Sequence, residues 1–225
     1  MGKAVHDLHS PLTAAMGFAN DFRAGGGRKR KGGIFTNYSP GEAERCVVII
    51  NDLLDVSAIE NGKFEINLSP ANLKELIEKR IKLHRFSAQA KEIKIAENLQ
   101  GFPDLKFDKN RIAQVLDNLF GNAIKFSEPG TTVEVSLDEN GKHAIINIKD
   151  QGLEFQQKEI NKVFGEFQKL SNKPTAGEKS TGLGMAIVKK IVDGHKGMIR
   201  VESEIGKGTV FIVSLPMNSK GVQSG

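Results

Sequence analysis

The chain has 225 residues, 39% of them hydrophobic, with 32 basic and 27 acidic side chains for a net charge of +5. That length allows one large domain or two modest ones with a real core, and the mild positive excess suits an acidic partner or a nucleotide. No apolar run approaches the ~18 residues of a membrane span, no signal peptide opens the chain, and the single cysteine, Cys46, excludes an internal disulfide framework.

Residues 6–22 place Leu8, Leu12, Ala15, Ala19 and Phe22 on one helical stripe. The segment Gly25 to Gly33 ends it; its basic cluster, Arg28 to Lys31, has no interleaved aromatic residues and reads as a solvated loop, not a nucleic-acid patch. A second helix begins near Ser39-Pro40, carries Val47, Ile50, Leu54 and Ser57 in heptad steps, and stops at Asn61-Gly62. Two such helices cannot bury their stripes alone, whereas a homodimer that pairs the hairpins into a four-helix bundle can. Beyond Pro70 the pattern turns to mixed α and β. Asn72–Ala88 reads as a helix, Glu92–Glu97 as an alternating strand, Asp108–Phe126 as a long helix, and Thr131–Asp150 as two strands turning at Asn140-Gly141. A short helix over Lys158–Phe167, a polar flexible stretch, a helix from Gly184 to Gly194 and strands near Met198–Ser203 and Thr209–Pro216 complete an α+β sandwich.

Three stretches of this second region carry chemistry. On the long helix Asn118 and Asn122 lie four residues apart on one face, with Lys125 further along. An asparagine carbonyl is a hard ligand for Mg2+ held by a triphosphate, and a lysine neutralises phosphate oxygens; a plain polar helix face explains the same residues about as well. Asp150 ends an apolar strand just before Gly152, where a carboxylate can accept from an exocyclic amine such as that of adenine, or simply form a turn. Gly182 and Gly184 precede an apolar helix, which offers backbone N–H groups to phosphate, although a plain helix start has the same pattern. At the start of the chain, "VHDLHSPLT" sets His6 and His9 just ahead of Pro11; read alone, Ser10 and Pro11 make an ordinary helix start. His84, His143 and His195 have no metal-ligand spacing and are expected at surface or boundary positions.

In their order and spacing these stretches resemble the sensor histidine kinase core of two-component systems, whose ATP-binding domain has the fold shared with gyrase, Hsp90 and MutL. "NLFGNAIKFS" is similar to the asparagine box of that family, "DQG" to its first glycine box, "VFGEFQKL" to its phenylalanine box and "TGLGMAIV" to its second glycine box, while "SEIGKGTVFIVSLP" is similar to its closing strand pair. "HDLHSPLTA" resembles the phosphoacceptor box, and "INDLLDVSAIENGKFEI" the end of the second dimerisation helix. The resemblance implies a dimerising hairpin at residues 1–66, a linker at 67–70, an ATP-binding α+β sandwich at 71–218 and a disordered tail at 219–225. It implies His6 as phosphoacceptor, Asp7 as the group that orients the ring and takes its proton, and Ser10 as a residue that aligns water for dephosphorylating a partner. Nucleotide would be held by Asn118, Asn122, Lys125, Asp150, Gly152, Thr181, Gly182, Leu183 and Gly184, with Asn122 on Mg2+. It further implies ATP as co-substrate, a response regulator and a second copy of the chain as partners, no nucleic acid, no membrane contact by this segment, and a cytoplasmic location, with a parent protein open to membrane anchoring elsewhere. With only five residues before His6, an input domain is expected on a longer protein or on another chain.

Three positions depart from the family's pattern. Glu154 stands where the first glycine box has its second glycine, and its charge would repel a phosphate if it faced the pocket. Ser180 replaces the first glycine of the second box, at a cost of about 1 kcal/mol if that position needs positive φ. His9 removes a permanent cation beside His6. Two alternatives therefore stand beside the kinase: a non-catalytic homologue that regulates partners by binding, and an ATP-gated machine, against which the phosphoacceptor box argues.

Overall fold

The computed structural model describes residues 50–217 apart from 53, 60, 63, 102–103, 153, 167, 169–173, 176–181 and 205, and the chain divides into two units, residues 1–64 and 65–225. In the first unit residues 50–52 and 54–59 are helical. The helix closes where the backbone and side-chain amides of Asn61 both donate to the Ser57 carbonyl and Gly62, at φ +66°, donates to that of Ile59. The rest of the expected hairpin lies outside the described residues.

The second unit is built on a five-stranded sheet ordered β2-β4-β5-β7-β6, formed by β2 (Lys94–Leu99), β4 (Thr132–Asn140), β5 (His143–Asp150), β6 (Met198–Glu204) and β7 (Gly208–Pro216). β2 runs parallel to β4, and the other neighbours are antiparallel. Strict alternation drives one face inward: Val133, Val135, Leu137, Ala144, Ile146, Ile148, Phe211, Val213 and Leu215 are all buried. The helices α1 (Leu73–Ala90), α2 (Lys109–Phe126) and α4 (Gly184–Gly194) supply the other half of the core. On α2 the buried residues Ile112, Val115, Leu116, Leu119, Phe120, Ala123 and Ile124 recur at helical spacing. Each such side chain contributes about 1.5–3 kcal/mol of apolar burial, so the core holds α2 in register while its polar face stays open to chemistry.

Expectation and structure differ at some edges. The strand expected from Glu92 starts at Lys94, because α1 ends in a reverse turn. Glu92, at φ 57°, donates to Gln89 and Ile93 donates to Ala88, a Schellman closure that consumes three residues. The short helix expected over 158–167 is one turn, α3 (Gln157–Ile160), continued by turns in which Lys162 and Gly165 donate three residues back. A two-stranded sheet of β1 (Ser69–Ala71) and β3 (Leu105–Phe107) was not expected, since three-residue strands carry no readable alternation. The β4–β5 turn falls on Gly141 and Lys142, with Gly141 at φ +64°, as a hairpin with glycine first in its loop requires.

His195 is a correction: it is buried, at 5% exposure, and not at the surface. Its Nε2 accepts from the Asp108 N–H at 2.9 Å, so the ring proton sits on Nδ1, which donates to the Ile191 carbonyl at 2.7 Å. Asp108 in turn N-caps α2 through Asn110 and Arg111 and accepts from the Asn67 N–H at 3.0 Å. The imidazole therefore joins the end of α4 to the start of α2, and the Asp108 carboxylate extends the junction to residue 67.

Candidate nucleotide site

Three elements of the second unit converge: the polar face of α2, the end of β5 with the loop after it, and the start of α4. Asp150 closes β5 at 4% exposure, with Oδ1 accepting from the Gly152 N–H at 2.9 Å. Gly152 is tight against α2: a Cβ there would stand 2.5 Å from the Phe126 carbonyl oxygen. Gly208, at φ +83°, lies under Asp150 from the β7 side, where a Cβ would strike the Asp150 carbonyl. Asp150 is thus flanked by two glycines, Gly152 beside its carboxyl and Gly208 against its backbone carbonyl, and neither can take a larger residue without moving backbone.

On α2, Asn118 donates through Nδ2 to the Gln114 carbonyl at 3.1 Å and sets its carbonyl oxygen against Gly184, where a side chain would collide with it. One turn on, Asn122 Nδ2 lies 3.1 Å from Met185 Sδ. The two asparagines therefore face the first turn of α4, whose N-cap residue, Leu183, makes no side-chain cap. Gly182 precedes it at φ +72°, a conformation suited to glycine. A helix N-terminus behind a left-handed glycine is a place that suits an anion. The last carbonyls of α2 are taken up at the other end: Lys91 Nζ donates to those of Ile124 and Lys125 at 2.9 Å each, and Thr175 Oγ1 donates to that of Ser127 at 2.9 Å. Lys125 Nζ stands 5.5 Å from the centre of the Phe126 ring.

Burial pushes the Asp150 carboxyl up to about 7; the Gly152 N–H opposes that rise and the nearby Glu154 carboxylate adds to it. Glu154 itself is turned onto the β6–β7 turn, with Oε1 accepting from the Gly206 N–H at 2.9 Å. An open cleft of about 390 Å³, bordered by β1 and the start of α1, shares no residue with this set.

A family model described as histidine kinase-, DNA gyrase B-, and HSP90-like ATPase matches residues 107–219. The chain belongs to this family. Within it the chain is similar to sensor histidine kinases. It is 32% identical over 216 residues to the circadian input-output histidine kinase CikA of Synechococcus elongatus, covering 94% of this chain and 29% of that protein. The chain spans about 30% of the length of the curated relatives it matches. By structure it is similar to the Acinetobacter baumannii histidine kinase AdeS, with a TM-score of 0.70 at 23% identity over 95% of this chain and 98% of that one. It is also similar in fold to histidine kinase ThkA in complex with the response regulator protein TrrA, with a TM-score of 0.62 at 21% identity, covering 96% of this chain and 60% of that one.

The ATP-binding domain of this family gives the arrangement its chemical sense. A buried carboxylate with Oδ1 engaged and Oδ2 taking no hydrogen bond from a described residue fits a base amine. The glycine-cleared approach to α4 fits phosphate. Among the described residues no group of three His, Cys, Asp or Glu side chains gathers to hold a metal. Of the expected site residues the structure sets Asn118 against Gly184 and Asn122 against Met185 at the start of α4, behind Gly182 and Leu183; it sets Gly152, bonded to Asp150, against Phe126 of α2, with Lys125 on the face that carries the asparagines. Leu183 is fully buried at the head of α4. His6, Asp7, Ser10 and Thr181 lie outside the described residues. Sequence reading missed Gly208, Met185 and Thr175; only Gly208 carried a signal, in the closely spaced glycines of "IGKG". Among the described residues no helix is long and apolar enough to cross a membrane.

Proposed function

We propose that the chain is the dimeric core of a sensor histidine kinase, with a phosphoacceptor hairpin at 1–66, a linker at 67–70 and an ATP-binding domain at 71–218 that transfers the γ-phosphoryl group of MgATP to His6. The observation that supports this reading is that Asn118 and Asn122 face the start of α4 while Gly152, beside the buried Asp150, packs on the last turn of the same helix that carries the asparagines. Asp150 Oδ2 accepts from the exocyclic amine of the base, Gly182, Leu183, Gly184 and Thr181 offer backbone N–H groups to the phosphates, and Lys125 neutralises charge nearby. Asn122 would help to hold Mg2+, which when bound would supply charge that screens the phosphate oxygens. His6 attacks phosphorus through a neutral imidazole nitrogen as the bond to the bridging β–γ oxygen breaks, ADP leaves, and the ring proton passes to Asp7. The phosphoryl group then moves to an aspartate of a response regulator. Support for that partner is the likeness to ThkA, whose solved complex contains one. Ser10, four residues after His6 in sequence, aligns water for hydrolysis of the regulator's phosphoaspartate.

The test is incorporation of γ-labelled phosphate from MgATP into wild type, His6→Ala and His9→Ala. Acid-labile label lost only in His6→Ala is expected. Label that depends on His9 sinks the assignment, and absence of both label and nucleotide binding returns the chain to a non-catalytic role.

A further inference from the structure

An asparagine amide has a donating end and an accepting end, and the structure commits the donating end of both Asn118 and Asn122. Asn118 Nδ2 donates to the Gln114 carbonyl at 3.1 Å, while its Oδ1 lies against Gly184, where a side chain would strike it. Asn122 Nδ2 lies 3.1 Å from Met185 Sδ. A thioether has lone pairs and no proton, so it faces the NH2 end of an amide; the reverse orientation would set two acceptors against each other. Neither Oδ1 takes a hydrogen bond from a described residue. Two carbonyl oxygens, four residues apart on α2, are therefore the ends left over.

Met185 is placed for this contact and not for the core. The buried side of α4 is formed by Ala186, Ile187, Val188, Ile191 and Val192, whereas Met185 is half-buried with its sulfur on α2. Leucine would fill nearly the same volume and accept nothing.

We propose, resting on the nucleotide reading, that Met185 is a positioning residue for the phosphate end of the site: its sulfur holds the Asn122 amide by the NH2 end and so commits Oδ1 to a divalent cation carried by the nucleotide. A hard carbonyl oxygen suits Mg2+, and an NH2 group turned the same way would face the cation with its protons. Met185 acts through Asn122 and needs no contact of its own with the nucleotide. Without the sulfur the amide is free to turn end for end. If it samples both orientations equally it is competent half of the time, and apparent affinity falls by that fraction.

The experiment joins a spectrum to a binding ratio. The full chain, labelled with nitrogen-15 at asparagine and free of metal and nucleotide, is compared by NMR as wild type, Met185→Leu and Asn122→Asp. Loss of a side-chain NH2 signal in Asn122→Asp identifies the Asn122 amide. That signal is expected to move in Met185→Leu. Calorimetric titrations with ADP in EDTA and with MgADP then give the gain in affinity that Mg2+ brings. Met185→Leu is expected to keep the wild-type affinity for ADP in EDTA, which shows the site intact, and to lose at least about twofold of the gain. An Asn122 signal that stays in place, or a gain equal to that of wild type, overturns the proposal. Equal losses with and without Mg2+ also overturn it, because Met185 would then be a packing residue. Each of these leaves the nucleotide site standing, whereas a wild type that binds neither ADP nor MgADP removes both.

Discussion

Buried Asp150, proposed above to bind the base, would set recognition against stability. Its folded-state carboxyl titrates near 7 against 3.8 in the unfolded chain, so the folded state holds the extra proton between those values. Its contribution to stability is present below about pH 3.8, is lost as pH rises towards 7, and is a constant penalty above that. Asp150→Asn keeps an oxygen for the Gly152 N–H and has no charge to desolvate. It is expected to raise unfolding stability at pH 8 by on the order of 2 kcal/mol, with little change at pH 4, while nucleotide affinity falls. Denaturant melts at the two pH values, beside a binding titration, check both halves. At the same scale, Gly152→Ala must displace the Phe126 carbonyl or the loop itself; a loss of nucleotide binding with retained sheet structure is the expected outcome. Asp150 was read from "DQG" as a candidate, at the end of its strand where the structure has it. Its contact with Gly208 was not legible, because the two are joined only by β5–β7 pairing across nearly sixty positions of chain.

The elements explain what a sequence reader can and cannot see. α2, α4 and the β4–β5 hairpin were readable because their apolar spacing and turn residues agree with the tertiary outcome. His195 was not, since its burial depends on two partners distant or hidden in sequence: a backbone N–H at Asp108 and a carbonyl inside its own helix. Burial holds the His195 pKa below its ordinary value. The neutral ring therefore contributes stability that is present above the unfolded value of about 6.5 and lost as pH falls below it. His195→Ala removes a buried ring and two hydrogen bonds, with an expected cost of about 2–4 kcal/mol at pH 7.5 and a flatter pH dependence between 5 and 7, read by chemical melts. The same helix ends in a Schellman closure with Lys196 at φ 58°, donating to Asp193 while Gly197 donates to Val192. A left-handed backbone strains a lysine, so Lys196→Gly is expected to stabilise the fold by about 0.5–1 kcal/mol. A neutral or destabilising result would show that the lysine side chain contributes as much as the backbone loses.

At the scale of the molecule, the division of the chain separates the two halves of the proposed reaction. Asp150, the asparagines of α2 and the start of α4 all belong to residues 65–225, whereas His6 belongs to residues 1–64. The second unit carries the whole five-stranded sheet, its three covering helices and the Asp108–His195 junction, and every described residue of the proposed nucleotide site lies in it. The proposed phosphoryl transfer adds His6. A fragment of residues 65–225 is expected to bind MgADP with the affinity of the full chain, within about twofold, and to acquire no acid-labile phosphate. Mixing that fragment with full-length Asp150→Asn, which offers His6 but binds nucleotide poorly, restores label on the full-length chain alone, with a rate that grows with fragment concentration. Weak binding by the fragment would mean that residues before 65 help to form the site. Label on the fragment itself would place an acceptor inside the ATP-binding domain and remove His6 from the mechanism.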